Sequence, residues 1–294
     1  MGSVYGTSPI KRARRTKGDL DRLLDGVQEI LDAEDDQITI RHLFYRLVGN
    51  GLLDKSEPAY KGLCNHLSKW RKKGAVEYSA FADNSRFYYR QDMHNSIEEA
   101  IRSTVDAYRR NLWAQQDHYV EVWVEKDAIA SILYGAASTY GVPVFPCRGF
   151  ASLSSLYVAA EEFKRKARRG KAVHVYYFGD HDPSGRAIDP AIMQSFADMG
   201  VAPSFTRVAV TKEQITAFNL PTRPTKKSDT RSKNFEGESV EIDAMPMHEL
   251  RRLVESCITR HIDTGEWERQ RGIEEIERLH AEKFIAALPE WKTA

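Results

Sequence analysis

The chain has 294 residues, 41% hydrophobic and 29% charged, with a formal net charge of +1. That is long enough for roughly two ordinary domains with separate cores, and it has no apolar run of bilayer length, so no membrane span is expected. Near-neutral charge excludes a uniformly basic nucleic-acid coat. The basic residues gather instead at 11–17, 69–73, 164–171 and 223–233, and the acidic ones concentrate in 239–285.

Cys64, Cys147 and Cys257 are isolated and odd in number, which argues against a disulfide framework or a CxxC metal site. Lys11-Arg12-Ala13-Arg14-Arg15 has no apolar segment behind it, so no signal peptide is expected. A reducing cytosolic compartment follows, nucleoid-associated in a prokaryote.

In chain order, residues 1–17 read as a basic disordered tail and 18–92 as a first domain. Leu20, Leu23, Leu24, Val27, Ile30 and Leu31 repeat every 3.6 residues and predict an amphipathic helix over 19–32. A second helix is expected over 38–48. On its wheel Leu43, Phe44 and Leu47 share the face of Ile40, while Tyr45 falls about 130° from the centre of that face. Tyr45 is therefore expected to point outward, on the side of Arg41 one turn earlier. Two readings stand: a half-exposed structural tyrosine, or a nucleophile whose phenolate the Arg41 guanidinium stabilises.

Tyr60, Leu63, Cys64, Leu67 and Trp70 give a third stripe, with Lys61, Lys69, Arg71, Lys72 and Lys73 on its other face and end. Ala75–Arg90 alternates around Asp83-Asn84-Ser85 as a β-hairpin does. Three helices and a hairpin are the order of a winged helix, whose third helix enters the DNA major groove in some members. Others bind proteins. The five basic residues are accordingly candidate DNA or phosphate contacts.

A connecting helix is expected over 93–118, with Ser96 as cap and Glu99 three residues on. The second domain is assigned to 119–294. Strands are expected at Tyr119–Val124, Val142–Phe145, Ala172–Phe178 and Phe205–Val210, with helices over 127–140, 152–168 and 190–198. This alternation predicts an α/β domain with a mainly parallel sheet. Thr211-x-x-Gln214 signals one more short helix. Leu220–Ser239 reads as a long basic loop carrying Lys226, Lys227, Arg231 and Lys233. Ser239–Ile242 is expected as an edge strand, followed by closing helices over 248–262 and 266–287.

The chemistry concentrates where two strands end. Glu125-Lys126 follows the first, and Asp180-His181-Asp182-Pro183-Ser184-Gly185 follows the third. Carboxylates at the C-terminal edge of a parallel sheet lie where α/β folds place ligands. Glu125, Asp180 and Asp182 converging there need a cation, and all-oxygen donors favour Mg²⁺. Lys126 is a candidate for holding phosphate, and His181 is expected to face away from its neighbours.

Glu125 with Asp180-x-Asp182, 55 residues on, resembles the toprim domain of topoisomerases, primases and some nucleases. Ile40-Arg41-His42-Leu43-Phe44-Tyr45 resembles the Arg-x-x-(Tyr/Phe)-Tyr signature of the topoisomerase VI A subunit and its relative, the meiotic double-strand-break enzyme. Val124-Glu125-Lys126 and Gly179-Asp180-x-Asp182-Pro183-x-Gly185 are similar to that family's versions, and Glu241-Ile242-Asp243-Ala244 more weakly so. Arg148-Gly149-Phe150-Ala151-Ser152 departs from the family, which has an acidic residue there.

The resemblance implies a winged-helix domain before a toprim domain, in a reduced stand-alone A-like protein. It implies that Tyr45 attacks double-stranded DNA and becomes linked to a 5′ phosphate. It also implies a homodimer in which one protomer's tyrosine meets its partner's Mg²⁺ site. Strand passage in that family needs an ATPase B subunit. This chain has no Gly-x-x-x-x-Gly-Lys-(Ser/Thr), so an ATPase would be a separate polypeptide. Two other readings compete: a toprim nuclease that uses water, and a non-enzymatic DNA-binding protein.

Overall fold

The computed structural model describes residues 16–34, 37–81, 91–223 and 238–287, and contacts divide the chain into Met1–Ala82 and Asp83–Ala294. The basic tail before residue 16, the hairpin tip Asp83-Asn84-Ser85 and the loop lysines and arginine at 226, 227, 231 and 233 lie outside the described residues. No described helix is long and apolar enough to cross a membrane.

In the first unit each helix starts at a side-chain cap. Thr16 and Asp19 form a reciprocal capping box for α1 (Lys17–Asp32), Thr39 caps α2 (Ile40–Gly49), and Ser56 with Pro58 in the first turn starts α3 (Glu57–Lys72). Helix α2 packs against both α1 and α3. The core joins Leu23, Val27 and Ile30 of α1 to Leu43, Phe44 and Leu47 of α2 and Leu63 and Leu67 of α3.

The hairpin expected over 75–90 differs in its described part. Residues 75–81 hold one 3₁₀ turn, Tyr78–Ala80, and a single parallel bridge between Phe81 and Ile38. Arg71 explains the path. Its guanidinium lies 4.7 Å from the centre of the Tyr78 ring and 5.4 Å from that of Phe81, and it donates to the Tyr78 carbonyl at 3.2 Å. The segment is drawn back along α3 rather than released as a strand.

The second unit is built on four parallel strands: β1 (His118–Val124), β2 (Val144–Pro146), β3 (Ala172–Phe178) and β4 (Ser204–Ala209), ordered β2-β1-β3-β4. Fold class and strand positions agree with the sequence pattern, so the chain is α/β with a mainly parallel sheet. Helices α5 (Asp127–Ser138), α6 (Leu153–Arg168), α7 (Pro183–Asp198) and α8 (Lys212–Ala217) alternate with the strands, and α9 (Met247–Thr259) and α10 (Thr264–Ala286) close the chain.

Strand alternation sorts the core. Trp123, Val175 and Tyr177 face Leu156, Ala160 and Phe163 of α6 and Ile188, Ile192 and Phe196 of α7. The alternate residues Val120, Val122, Val124, Tyr176 and Phe178 are also buried, on the opposite sheet face, and α5 packs on α9.

Three boundaries differ from the sequence pattern. The connecting helix is α4, Ile97–Ala107, with the expected Ser96 cap on Glu99. It stops because Tyr108 and Arg110 turn to Glu277 of α10, at 2.6 and 2.7 Å. Helix α7 begins at Pro183, earlier than its apolar period suggests, because Asp182 caps it and Pro183 suits the first turn. The edge strand at 239–242 reduces to bridges at Ser239 and Val240 before a 3₁₀ turn, Ile242–Ala244.

Arg207 of β4 fastens this sheet edge. It pairs with Asp189 of α7 through two contacts at 2.6 and 2.7 Å, donates to the carbonyls of Gly179, Asp180 and Gly185, and packs on Tyr177. With 7% of its side chain exposed, against 14% for Asp189, removing it leaves Asp189 largely shielded and without this partner. Arg207→Met is expected to lower unfolding free energy by about 3–5 kcal/mol, measured by urea denaturation. Adding Asp189→Leu is expected to recover only part of that loss, because the carbonyls of Gly179, Asp180 and Gly185 still lack the Arg207 donors. A double variant as unstable as the single one would contradict the assignment.

Candidate metal centre

Strands β1 and β3 run in register from His118↔Ala172 to Val124↔Phe178, so both leave the sheet at one level. The Glu125 N–H donates to the Phe178 carbonyl at 2.9 Å, and the Asp180 N–H donates to Glu125 Oε2 at 2.8 Å. Two glycines allow this closeness. A Cβ on Gly179 would lie 2.7 Å from Glu125 Oε2, and one on Gly185 would lie 2.4 Å from the Asp180 carbonyl oxygen. Asp182 holds the start of α7, its Oδ1 accepting from the Gly185 N–H at 2.7 Å.

The segment bearing Ser239–Ala244 then folds over this edge. The His181 and Val240 backbones exchange hydrogen bonds, and the Ile242 N–H donates to Asp180 Oδ1 at 2.9 Å. This brings in two carboxylates, Glu241 and Asp243. Lys126 Nζ sits among them, 2.7 Å from Asp243 Oδ2, 2.9 Å from Glu241 Oε2 and 3.0 Å from Asp180 Oδ2. Arg223 adds a contact of 3.0 Å to Glu241 Oε1 and lies 3.8 Å from Asp182 Oδ2.

Glu125, Asp180 and Asp182 therefore share one site, as their strand contexts suggest. Lys126 lies inside it as a counter-ion to acids. His181 is buried, with its ring nitrogen 3.3 Å from the Val210 carbonyl. Glu241 and Asp243 are site residues that the sequence reading did not nominate. Their one signal in the sequence was the weaker family likeness across Glu241-Ile242-Asp243-Ala244; the 3₁₀ turn at Ile242–Ala244 brings both side chains to Lys126.

The electrostatics are strained in one direction. Burial, with Asp180 beside it, pushes the Glu125 carboxyl up to about 7. Burial also raises Asp180 despite the attraction of Lys126. Burial pulls the Lys126 ammonium down, but Asp243, Asp180 and Glu241 outweigh it and raise its pKa above the ordinary lysine value. Asp243 Oδ1 is buried without a hydrogen-bond partner. The five carboxylates supply hard oxygen donors of the class Mg²⁺ takes. As they stand, Lys126 occupies their centre and no three of their oxygens gather closely enough around one point to hold an ion.

The first-unit candidates are arranged differently from the wheel. Tyr45 is buried, with 5% of its surface exposed, rather than outward-facing. It packs edge-on against Phe44 with ring centres 5.4 Å apart, and the Lys55 ammonium lies 5.4 Å from its own ring centre. A one-sided wheel fails here because α1 and α3 cover α2 from two directions. Arg41 is exposed and lies over the Tyr60 ring at 5.4 Å. Lys61, Lys69, Lys72 and Lys73 are exposed, Lys61 with Glu57 at 3.7 Å, whereas Arg71 is engaged by Tyr78 and Phe81.

No protein-family model matches the chain, and no curated protein matches it.

Proposed function

We propose that this chain is a Mg²⁺-dependent DNA-cleaving enzyme, with a winged-helix unit followed by a toprim unit and the cluster of Glu125, Asp180, Asp182, Glu241 and Asp243 as its metal centre. The observation that carries this reading is the convergence of Asp180, Asp182, Glu241 and Asp243 on Lys126 and Arg223 at the C-terminal sheet edge, with Glu125 beside them accepting from the Asp180 N–H. Asp180, Asp182, Glu241 and Asp243 are the residues that would hold the ion, with Glu125 against them. Bound Mg²⁺ would supply charge neutralisation at a phosphate and support for the leaving 3′ oxygen. The exposed Lys61, Lys69, Lys72 and Lys73 offer contacts to double-stranded DNA. The family resemblance adds a homodimer and a separate ATPase B subunit.

Water comes first as the nucleophile because Tyr45 is buried in its own unit. Glu125, held near 7, is suited to exchange a proton with that water or with the departing oxygen. The second reading is favoured by the Arg41–Tyr45 block. In it the Tyr45 oxygen bonds to phosphorus, the P–O3′ bond breaks, and α2 must first release the phenol.

Supercoiled DNA incubated with the chain and Mg²⁺, then quenched with denaturant, is expected to yield free ends. Asp180→Ala should lower that yield more than about 100-fold, whereas Tyr45→Phe should retain it. Protein-linked ends that vanish in both variants would move Tyr45 to first place. DNA left intact under all conditions would remove the water reading and leave a DNA-binding protein or a cleavage that needs its partner subunit.

The cation requirement has its own check. Lys126→Met leaves Asp180 and Asp243 without their counter-ion, Glu241 keeping Arg223, and is expected to cost about 3–5 kcal/mol of stability. Mg²⁺ should restore more of the thermal midpoint in this variant than in the parent, beyond what Na⁺ does at equal ionic strength. Equal responses to the two ions would count against a divalent site.

A further inference from the structure

At the other end of the sheet, three histidines gather that the proposed DNA chemistry does not use. His118 opens β1, His174 lies near the start of β3 on the same sheet face, and His261 lies in the turn between α9 and α10. One ligand nitrogen from each ring falls within 4.8 Å of the others, and all three rings are half-buried. His118 Nδ1 and His174 Nε2 are 3.0 Å apart, and the His174 and His261 rings stack with centres 4.0 Å apart. The Tyr176 hydroxyl holds His261 Nε2 at 2.7 Å.

We propose that His118, His174 and His261 form a binding site for a borderline divalent transition metal of the Zn²⁺ class, separate from the carboxylate centre. Three imidazoles are the donor set such ions select over Mg²⁺. Ligand atoms around a tetrahedral Zn²⁺ lie about 3.3 Å apart, from Zn–N bonds of about 2.0–2.1 Å. The His118–His174 pair, at 3.0 Å, is close to that spacing, and separations within the set of up to 4.8 Å must close by at most about 1.5 Å.

Two further observations agree with this. Burial, with His174, His118 and Arg260 nearby, pushes His261 down to about 4, and burial with His118 beside it lowers His174, so both rings keep a lone pair at neutral pH. Tyr176 is positioned to orient the His261 ring by holding one nitrogen while the other coordinates, as outer partners of metal-bound histidines do. The site lies roughly 20 Å from Glu125 and Asp180, six or seven strand residues away. Its consequence is mechanical: an ion there ties the α9–α10 turn to the beginnings of β1 and β3, leaving a fourth coordination position open.

The test is Zn²⁺ titration of the full chain, stripped with chelator and kept in excess Mg²⁺ so that the carboxylate centre does not compete. One Zn²⁺ per chain and a rise in thermal midpoint are expected. His118→Ala, His174→Ala and His261→Ala should each weaken binding beyond the about 10–100-fold typical of losing an outer partner, with Tyr176→Phe inside that range. His280→Ala, at an exposed position on α10, should bind as the parent does. X-ray absorption at the zinc edge of the unaltered loaded chain avoids any folding defect in the variants, and three imidazole nitrogens are expected. A shell of carboxylate oxygens, binding that survives the histidine substitutions, or no binding would each overturn the proposal.

Discussion

Packing negative charge against a sheet edge is the constraint on which this second unit depends. Asp180, Glu241 and Asp243 are buried, and carboxylates removed from water need an opposite charge beside them. Lys126, two residues past the end of β1 and at the start of α5, supplies it and so sets the charge balance of the site. The long path from α8 through the 3₁₀ turn at Ile242–Ala244 returns to this edge because its own acids and backbone complete the network.

A second fastening makes that arrangement stiff. Arg207 gathers the carbonyls of Gly179, Asp180 and Gly185, so the turn carrying Asp180 and Asp182 is held from β4 while Glu125 holds it from β1. Glycine at 179 and 185 is a steric requirement of this clamp, since a side chain at either would strike the groups being brought together. The aromatic core of Trp123, Phe163, Tyr177 and Phe196 lies under the same strands and makes the edge a rigid platform. A metal-dependent reading of the site draws its force from this rigidity, because catalytic oxygens must be held in place before a substrate arrives.

The first unit sets a different problem. Its α2 is buried on nearly every side, through His42, Leu43, Phe44, Tyr45 and Leu47, and the phenol that the family signature singles out belongs to that core. For Tyr45 to act on DNA, packing between α2 and its neighbours must give way, whereas the five carboxylates already share one sheet edge. That asymmetry between the units is why water precedes tyrosine as the proposed nucleophile.

The parallel sheet, most helix starts and the company kept by Glu125, Asp180 and Asp182 were legible in the sequence. They follow from local rules: alternation in strands, a 3.6 period in helices, caps at Ser96 and Thr211, and carboxylates directly after β-branched runs. Three things were decided only in the folded chain. Tyr45 turned inward because two helices cover α2, which a single wheel does not represent. Lys126 became a counter-ion because Glu241 and Asp243 arrive from more than a hundred residues away. His118, His174 and His261 met because strand register and the α9–α10 turn bring distant residues onto one face, and no local periodicity encodes such a meeting.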